Sequence, residues 1–249
     1  MSGHSKWATI KHKKGAADKA RGKLFAKLIR QVEVAAREGG GDPDANPTLR
    51  TMFQKARDNS VPLDTIERAI KRGTGELEGV TYESVTYEGY APGGVALLIE
   101  TLTDNRNRTG AEIRSMLTRH GGSLAEPGAV AWQFSRRGTV TAPRSIEEDD
   151  LMLVALEAGA DDLLDEGEVW RIYCEPTDLT GLRTALEEAG FGGIESDLLM
   201  VPSATVPLGS SEEAKKVLNV VEALDDHDDV QTVSANFDIP DEVLEAVSA

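Results

Sequence analysis

Basic side chains are concentrated at the start of the sequence. Nine lysine and arginine residues stand among the first 30 positions against one acid, Asp18, so this segment has a net charge of +8. The nine are Lys6, Lys11, Lys13, Lys14, Lys19, Arg21, Lys23, Lys27 and Arg30. Such side chains displace counterions from a phosphate backbone, and Trp7 and His12 could stack on bases or hydrogen-bond to them. The segment is expected to bind nucleic acid; the alternative is that it pairs with the protein's own acids.

The rest of the chain is neutral and then acidic. Residues 31–75 hold seven bases and seven acids, and the remaining 174 residues hold 11 bases and 35 acids. The whole chain of 249 residues therefore has a net charge of −16. Because an acidic surface repels a polyanion, nucleic acid is expected to dock end-on at the basic segment.

Two further arginines, Arg106 and Arg108, lie in the segment 103–108, which reads T-D-N-R-N-R. The segment follows a predicted buried strand and precedes a predicted helix, and such positions often gather anion-binding groups. Arginine binds phosphate bidentately, which makes this a candidate for secondary nucleic-acid contacts. The alternative is that Asp104 and Asn105 form a turn while both arginines pair with the acidic part of the chain. The sequence leaves both interpretations open.

Signatures of catalysis are weak. The sequence contains no P-loop, no dinucleotide-binding glycine fingerprint, no H-E-x-x-H and no G-x-S-x-G. Cys174 alternates with apolar residues in a predicted strand and is expected to be a packed core thiol. The acidic cluster 225–229, which includes His227, invites a metal interpretation, but acids between a helix and a strand are usually solvated. We expect no catalytic residues, no metal, no cofactor and no small-molecule substrate.

The composition also bounds the setting of the protein. One cysteine excludes an internal disulfide and a cysteine-rich zinc site. The longest apolar run is only a few residues and the first residues lack an apolar signal segment, so no membrane partner is expected. These features indicate a cytoplasmic protein.

Residues 1–75 are predicted to form a small helical domain. Apolar residues recur at helical spacing from Ala17 to Arg37, and a second helix begins after Asn46 and Pro47. A third is expected to begin at a capping box formed by Asp64 and Glu67. The second and third helices could be a helix-turn-helix in which Arg68, Lys71 and Arg72 face a DNA groove; the alternative is an ordinary solvated helix face.

The period changes after residue 75. A β-hairpin is predicted from 80 to 102, followed by a helix to His120 capped by Thr109 and Glu112. The later elements are predicted strands at 129–134, 138–142, 169–174, 197–201 and 230–237, and helices at 145–158, 178–189 and one capped by Ser210 and Glu213. The segment 138–201 thus has the expected order β-α-β-α-β.

These elements predict an α+β or α/β multidomain fold, with a helical N-terminal domain followed by two small α/β sandwich domains. The expected boundaries are 1–75 for the helical domain, 76–134 plus 205–249 for the second domain, and 135–204 for a third domain inserted in the second.

Several motifs together resemble the YebC/PmpR family. They are MSGHSKWATIKHKK (1–14), RGKLF (21–25), GGGDP (39–43), the stretch 62–75, YEGYAPGG (87–94), TDNRNRT (103–109) and DDVQ (228–231). The resemblance covers essentially the whole chain. It implies three domains, the third inserted in the second, and no catalysis. Some members of this family are described as DNA-binding transcriptional regulators, and others as translation factors, including a mitochondrial translational activator.

The sequence therefore favours a non-enzymatic regulator that binds nucleic acid, with duplex DNA as the first candidate ligand. The alternative is a ribosome-binding translation factor that contacts ribosomal RNA and activates translation or relieves stalling at proline-rich stretches. A protein-binding module acting through its acidic face would not depend on residues 1–30, which separates that third possibility from both.

Overall fold

The computed structural model describes residues 18–248. Its helices are α1 (Asp18–Gly39), α2 (Pro47–Asp58), α3 (Leu63–Gly73), α4 (Arg106–Arg119), α5 (Glu148–Glu157), α6 (Leu179–Glu188), α7 (Ser211–Asp225) and α8 (Asp241–Ser248). Its strands are β1 (Glu83–Tyr90), β2 (Ala96–Thr103), β3 (Ser123–Leu124), β4 (Phe134–Pro143), β5 (Ala160–Asp165), β6 (Val169–Cys174), β7 (Glu195–Pro202), β8 (Val206–Pro207), β9 (Val230–Ala235) and β10 (Phe237–Asp238). No helix within residues 18–248 is long and apolar enough to cross a membrane.

Helices α1 to α3 pack around their own apolar core, which includes Leu28, Val32, Leu49, Ile66 and Ala69. The turn between α1 and α2 is fixed by buried Asn46, whose side-chain oxygen accepts from the Leu49 N–H at 3.0 Å. The Asn46 amide donates in turn to the Ala35 and Gly40 carbonyls. Pro47 then starts α2, where a missing N–H costs no hydrogen bond. The predicted helical N-terminal region is confirmed.

The first sheet has the strand order β3-β1-β2-β9. Strands β1 and β2 form the predicted antiparallel hairpin, with Tyr87 opposite Ile99. Helices α4 and α7 contribute to the core of this sheet, and the apolar stripe of α7 is buried as its spacing predicts: Ala214, Val217, Leu218, Val221 and Leu224. The core is thus completed by residues from both ends of the region 83–248, including Leu244 of α8.

The second sheet has the order β5-β6-β4-β7, with all neighbours antiparallel. Its elements run β-α-β-β-α-β along the chain, which is the ferredoxin-like arrangement. The expected order β-α-β-α-β was therefore wrong by one strand. Strand β5 has the sequence ADDLLD, and its acids hid the alternation expected of a strand because it lies at the sheet edge, where charged side chains reach water.

The predicted strand 129–134 is absent except for Phe134, which begins β4. Residues 129–130 form a bend and Ala131–Gln133 a short 3-10 helix. The carboxylate of Glu88 holds this segment, accepting from the N–H groups of Gly128 at 2.6 Å, Val130 at 2.6 Å and Ala131 at 2.8 Å. These donors are committed to a side chain, so they cannot join a strand ladder.

Two of the predicted capping boxes are also wrong. Helix α3 begins at Leu63 after Pro62, and Asp64 lies inside the first turn, where it pairs with Arg68 at 3.2 Å. Helix α4 is capped by Asn105, whose side-chain oxygen accepts from the Arg108 N–H at 3.1 Å. Thr109 is instead buried inside α4.

Other local predictions are mixed. Ser210 caps α7 as predicted, accepting from the Glu213 N–H at 3.3 Å. Helix α5 starts at Glu148, later than the predicted 145, and lacks a side-chain cap. The final strand is interrupted at Asn236, whose side chain accepts from the Ala96 N–H. The division into domains 1–75, 76–134 plus 205–249, and 135–204 stays a prediction.

Candidate nucleic-acid interface

The predicted contact residues divide into three groups. Lys6, Trp7, Lys11, His12, Lys13 and Lys14 lie outside the described residues. Lys19 lies in α1, but its side chain is not described. The structure places the side chains of the other six: Arg21, Lys23, Lys27, Arg30, Arg106 and Arg108.

Three cations of α1 face a segment that we name the acidic loop, residues 225–229. Lys23 Nζ lies 3.0 Å from Asp226 Oδ1, and Lys27 Nζ lies 2.5 Å from the Asp225 carbonyl oxygen. Arg30 Nη1 donates to the Asp228 carbonyl at 2.7 Å and to Asp229 Oδ1 at 3.2 Å. The spacing of these cations, four and then three residues, puts them on one face of the helix.

Arg21 and Arg30 also contact aromatic rings. The Arg21 guanidinium lies 5.3 Å from the centroid of the Phe25 ring, and that of Arg30 lies 5.1 Å from the centroid of the Tyr82 ring. Tyr82 precedes β1, so Arg30 is held between the start of the first sheet and the acidic loop. Tyr82 was not among the predicted site residues, because its spacing in the sequence gives no signal for this contact.

Arg106 and Arg108 lie in the first turn of α4 rather than in a loop. Arg106 is exposed. Arg108 Nη2 lies 2.6 Å from Asp229 Oδ2 and 2.9 Å from Asp104 Oδ1. The hydrogen bond that Arg108 donates to Asp229, with the charge of that carboxylate, raises the pKa of Arg108. Arg108 is therefore paired with acidic residues, which was the alternative to a phosphate contact that the sequence left open.

Asp229 is the centre of this network. It is buried, and its carboxylate accepts from Thr109 Oγ1 at 2.7 Å as well as from Arg108 and Arg30. Burial by itself would raise the pKa of Asp229, but the hydrogen bonds from Thr109 and Arg108 outweigh it and leave the pKa below its ordinary value. Asp229 thereby ties α1, α4 and the acidic loop together.

A cleft of about 730 Å³ opens beside this network, between α1 and α4. Its lining mixes cations and anions and includes Arg30, Arg108, Arg119, Glu112 and His227. His227 Nε2 lies 2.8 Å from Glu112 Oε2, and its Nδ1 accepts from the Asp229 N–H. Ligand-type atoms of Glu112, His227 and Asp229 lie within 4.8 Å of one another. The oxygens of Asp229 already accept from two arginines and a hydroxyl, which describes an ion-pair network better than a cation site.

The helix-turn-helix interpretation gains little from the geometry. Arg72, one of the three expected groove residues, donates to buried Glu33 of α1 at 2.8 Å. Arg68 is exposed and pairs with Asp64, and Lys71 is exposed. Arg72 is thus committed to holding α3 against α1, and only two of the three side chains point to water.

Two family descriptions match the chain. Residues 5–76 match the N-terminal domain of TACO1/YebC proteins, and residues 82–237 match the second and third domains of TACO1/YebC proteins.

Relatives and a solved structure agree with this. A "Probable transcriptional regulatory protein" of Thermobifida fusca is 57% identical over 250 residues, covering 100% of both chains. One of the same description from Halothermothrix orenii is 56% identical over 251 residues, covering 100% of this chain and 99% of the relative. The crystal structure of a conserved hypothetical protein from Aquifex aeolicus matches with a TM-score of 0.82 and 46% identity, over 90% of this chain and 93% of that one. The chain belongs to the YebC/PmpR family, whose domains are described as TACO1/YebC.

Proposed function

We propose that this protein is a non-enzymatic regulator of gene expression that binds the phosphate backbone of duplex DNA through residues 1–30. The observation that carries the proposal is charge segregation: nine bases and one acid in this segment on a chain of net charge −16. Solubility does not require such a segment, because the acidic part of the chain already supplies charge. The name of the relatives, probable transcriptional regulatory protein, supports DNA as the ligand.

The contacts of α1 support a phosphate-binding role. Lys23, Lys27 and Arg30 already bind carboxylate and carbonyl oxygens along one helix face. Phosphate oxygens are acceptors of the same kind, and arginine and lysine are the side chains that most often contact them. The face is therefore arranged to hold a row of anionic oxygens.

The acidic remainder favours an end-on approach. Glu147, Glu148, Asp149 and Asp150 at the start of α5 are all exposed, and no described cation lies within ion-pair distance of them. Such a surface repels DNA. Contact with a polyanion is therefore restricted to the end of the molecule that carries α1.

Ribosomal RNA presents the same phosphate chemistry to the same cations. As a structured RNA it would be recognised by shape and by unpaired bases rather than by groove contacts. A translation factor acting on the ribosome is therefore the outcome that the test must separate from a DNA-binding regulator.

The test is binding of the full chain to a labelled duplex DNA and to a structured RNA of equal length across a salt series. If about six bases contact duplex phosphates, log K falls with log salt at a slope of about −5. K11Q/K13Q/K14Q should make this slope shallower by about 3 and weaken binding by at least roughly tenfold at 0.1 M salt. The matched control, R114Q/K215Q/K216Q, removes the same charge from other exposed positions and should retain the slope.

The outcomes separate the candidates. Strong duplex binding that K11Q/K13Q/K14Q weakens supports the proposal. Preference for the RNA by a factor of ten or more points to the ribosomal alternative. Equal loss in both triple variants would mean that only net charge matters, which contradicts a binding segment at residues 1–30.

A further inference from the structure

The acidic loop, residues 225–229, covers the cationic face of α1. Asp226 Oδ1 lies 3.0 Å from Lys23 Nζ, and Asp229 Oδ1 lies 3.2 Å from Arg30 Nη1. With the loop in this position the side chain of Lys27 is only 12% exposed and that of Arg30 only 23%. A phosphate group could not reach Lys27 or Arg30 fully while the loop is in this position.

Backbone oxygens add to the negative character of the loop. The carbonyls of Asp225, Asp226 and Asp228 each accept from a cation of α1, at 2.5, 3.0 and 2.7 Å. Asp225 is the last residue of α7, where unpaired carbonyls carry the negative end of the helix dipole. Carboxylates and carbonyls together therefore present a row of anionic oxygens to three successive cations.

The chain that joins the helical region to the first sheet is exposed and begins with a turn. Residues 74–81 lie between α3 and β1 without helix or strand, and all eight are exposed. The helical region is also ion-paired to the second sheet and to α6, through Lys55–Asp197 and Arg183–Asp58, both at 2.7 Å. The contact with the acidic loop can therefore open by movement of the loop, or by rotation within residues 74–81 once these two pairs are released, without unfolding either side.

We infer that the acidic loop is an intramolecular competitor of nucleic acid, which occupies the phosphate-binding face of α1 when no polyanion is bound. The inference rests on the proposed function and concerns the regulation of the same face. Nucleic acid binds the open form, in which Lys23, Lys27 and Arg30 have left the loop, and the apparent affinity is reduced by the fraction of molecules that are closed.

Neutralising the loop is the first test. D225N/D226N/D228N removes three carboxylates but keeps Asp229, whose bonds to Thr109 and Arg108 serve the fold. The control E147Q/E148Q/E157Q removes the same charge from exposed positions of α5 and the residue before it. Each partly exposed ion pair contributes little to closure alone. Because three carboxylates are neutralised together, the loop variant should bind duplex DNA roughly tenfold more tightly than the control variant.

A direct readout of closure is the second test. Zero-length carbodiimide coupling joins Lys23 to Asp226 in the closed form, because their charged atoms are 3.0 Å apart. Coupling of Lys216 to Glu212, 2.7 Å apart within α7, serves as the internal control. Saturating duplex DNA should lower the first product severalfold, measured by mass spectrometry, and leave the second unchanged.

The two proposals fail differently. If DNA binds and requires the cations of residues 1–30, but the loop variant binds no better than its control and Lys23–Asp226 coupling persists, the competitor is wrong and the proposed function stands. If neither the wild type nor the loop variant binds DNA or RNA, both are wrong. Binding by the loop variant alone would support both, since the closed form would then mask the wild type.

Discussion

Arg108 and Asp229 are 121 residues apart in the chain, and their side chains meet at 2.6 Å. The same carboxylate takes hydrogen bonds from Thr109 and Arg30. A single buried acid, Asp229, which immediately precedes β9, therefore joins the first sheet to α4 and to the helical region. The fold and the candidate interface depend on the same residue.

Asp229→Asn should destabilise the protein by about 1–2 kcal/mol, because the buried Thr109 hydroxyl loses a charged acceptor. The expected loss lies at the lower end of the range for a hydrogen bond to a charged group, because the Arg108 side chain is partly exposed and can hydrogen-bond to water instead. Urea unfolding followed by circular dichroism measures it. D228N, at an exposed neighbour, should change stability by less than about 0.5 kcal/mol; an equal loss in both variants would contradict the central position of Asp229.

Acid should remove the contribution of Asp229. Its pKa is lower in the folded protein than the ordinary 3.8, so the charged carboxylate stabilises the fold at pH values above 3.8. That stability is lost as the pH falls through the folded-state pKa. The difference in unfolding free energy between wild type and D229N should therefore be constant from pH 5 to 7 and shrink below about pH 4. A difference that grew on acidification would contradict the assigned direction.

Glu88 should control the order of the segment that carries Trp132. Its carboxylate accepts from the N–H groups of Gly128, Val130 and Ala131, and these bonds outweigh burial and lower its pKa. Glu88→Ala leaves these donors without an acceptor and should cost about 2 kcal/mol.

The segment offers its own optical probe. Trp132 is 76% exposed, whereas Trp170 is 1% exposed, so the two indoles report on different surroundings. In a W7F background, Glu88→Ala should lower the fluorescence anisotropy of the exposed indole. Unchanged anisotropy together with unchanged stability would show that Glu88 does not hold the segment.

Gly73 allows α3 to approach α1 closely. A Cβ added there would clash with the Glu33 carbonyl oxygen, which is backbone and cannot move aside alone. Gly73→Ala should cost about 1–3 kcal/mol through displacement of the two helices. Gly181→Ala in α6, where a Cβ meets nothing within 4 Å, should instead be neutral or stabilising by up to about 1 kcal/mol. Thermal unfolding of both variants checks the contrast, and a stable Gly73→Ala would contradict the close approach.

Cys174 should be inert in the folded protein. It is buried at 0% exposure, and burial, with nearby Asp178, raises the pKa of its thiol to about 11. A thiol reagent at pH 8 should react at least about a hundredfold faster in urea than in buffer, because only the thiolate attacks. Rapid labelling without denaturant would contradict the predicted core position.

Local patterns predicted most of the helices and the central strands. The apolar stripe of α7 and the Asn46–Pro47 start of α2 were sufficient because the helical spacing of the stripe and the capping partner of Asn46, the Leu49 N–H, are local in the sequence. Two of the errors arose where a distant residue decided the structure. Glu88 prevents a strand at 129–133 from a position 40 or more residues away, and Thr109 faces Asp229 instead of capping α4.

The candidate interface shows the same limit. The basic face of α1 could be read from composition and helical spacing. Its partner could not, because nothing local connects Lys27 with Asp225, 198 residues later. The acidic loop was visible in the sequence as a cluster of acids, but only the structure showed that it lies against α1.

Ultraviolet crosslinking in growing cells, with the recovered DNA and RNA both sequenced, would show which nucleic acid the protein contacts. A DNA-binding regulator should be enriched at a limited set of promoters, and this enrichment should be lost when Lys11, Lys13 and Lys14 are changed to glutamine. Crosslinks concentrated at one site of ribosomal RNA, lost in the same variant, would keep the basic segment as the binding element and replace the transcriptional role by the ribosomal one. Enrichment of neither nucleic acid above an unrelated acidic protein would contradict nucleic-acid binding by residues 1–30.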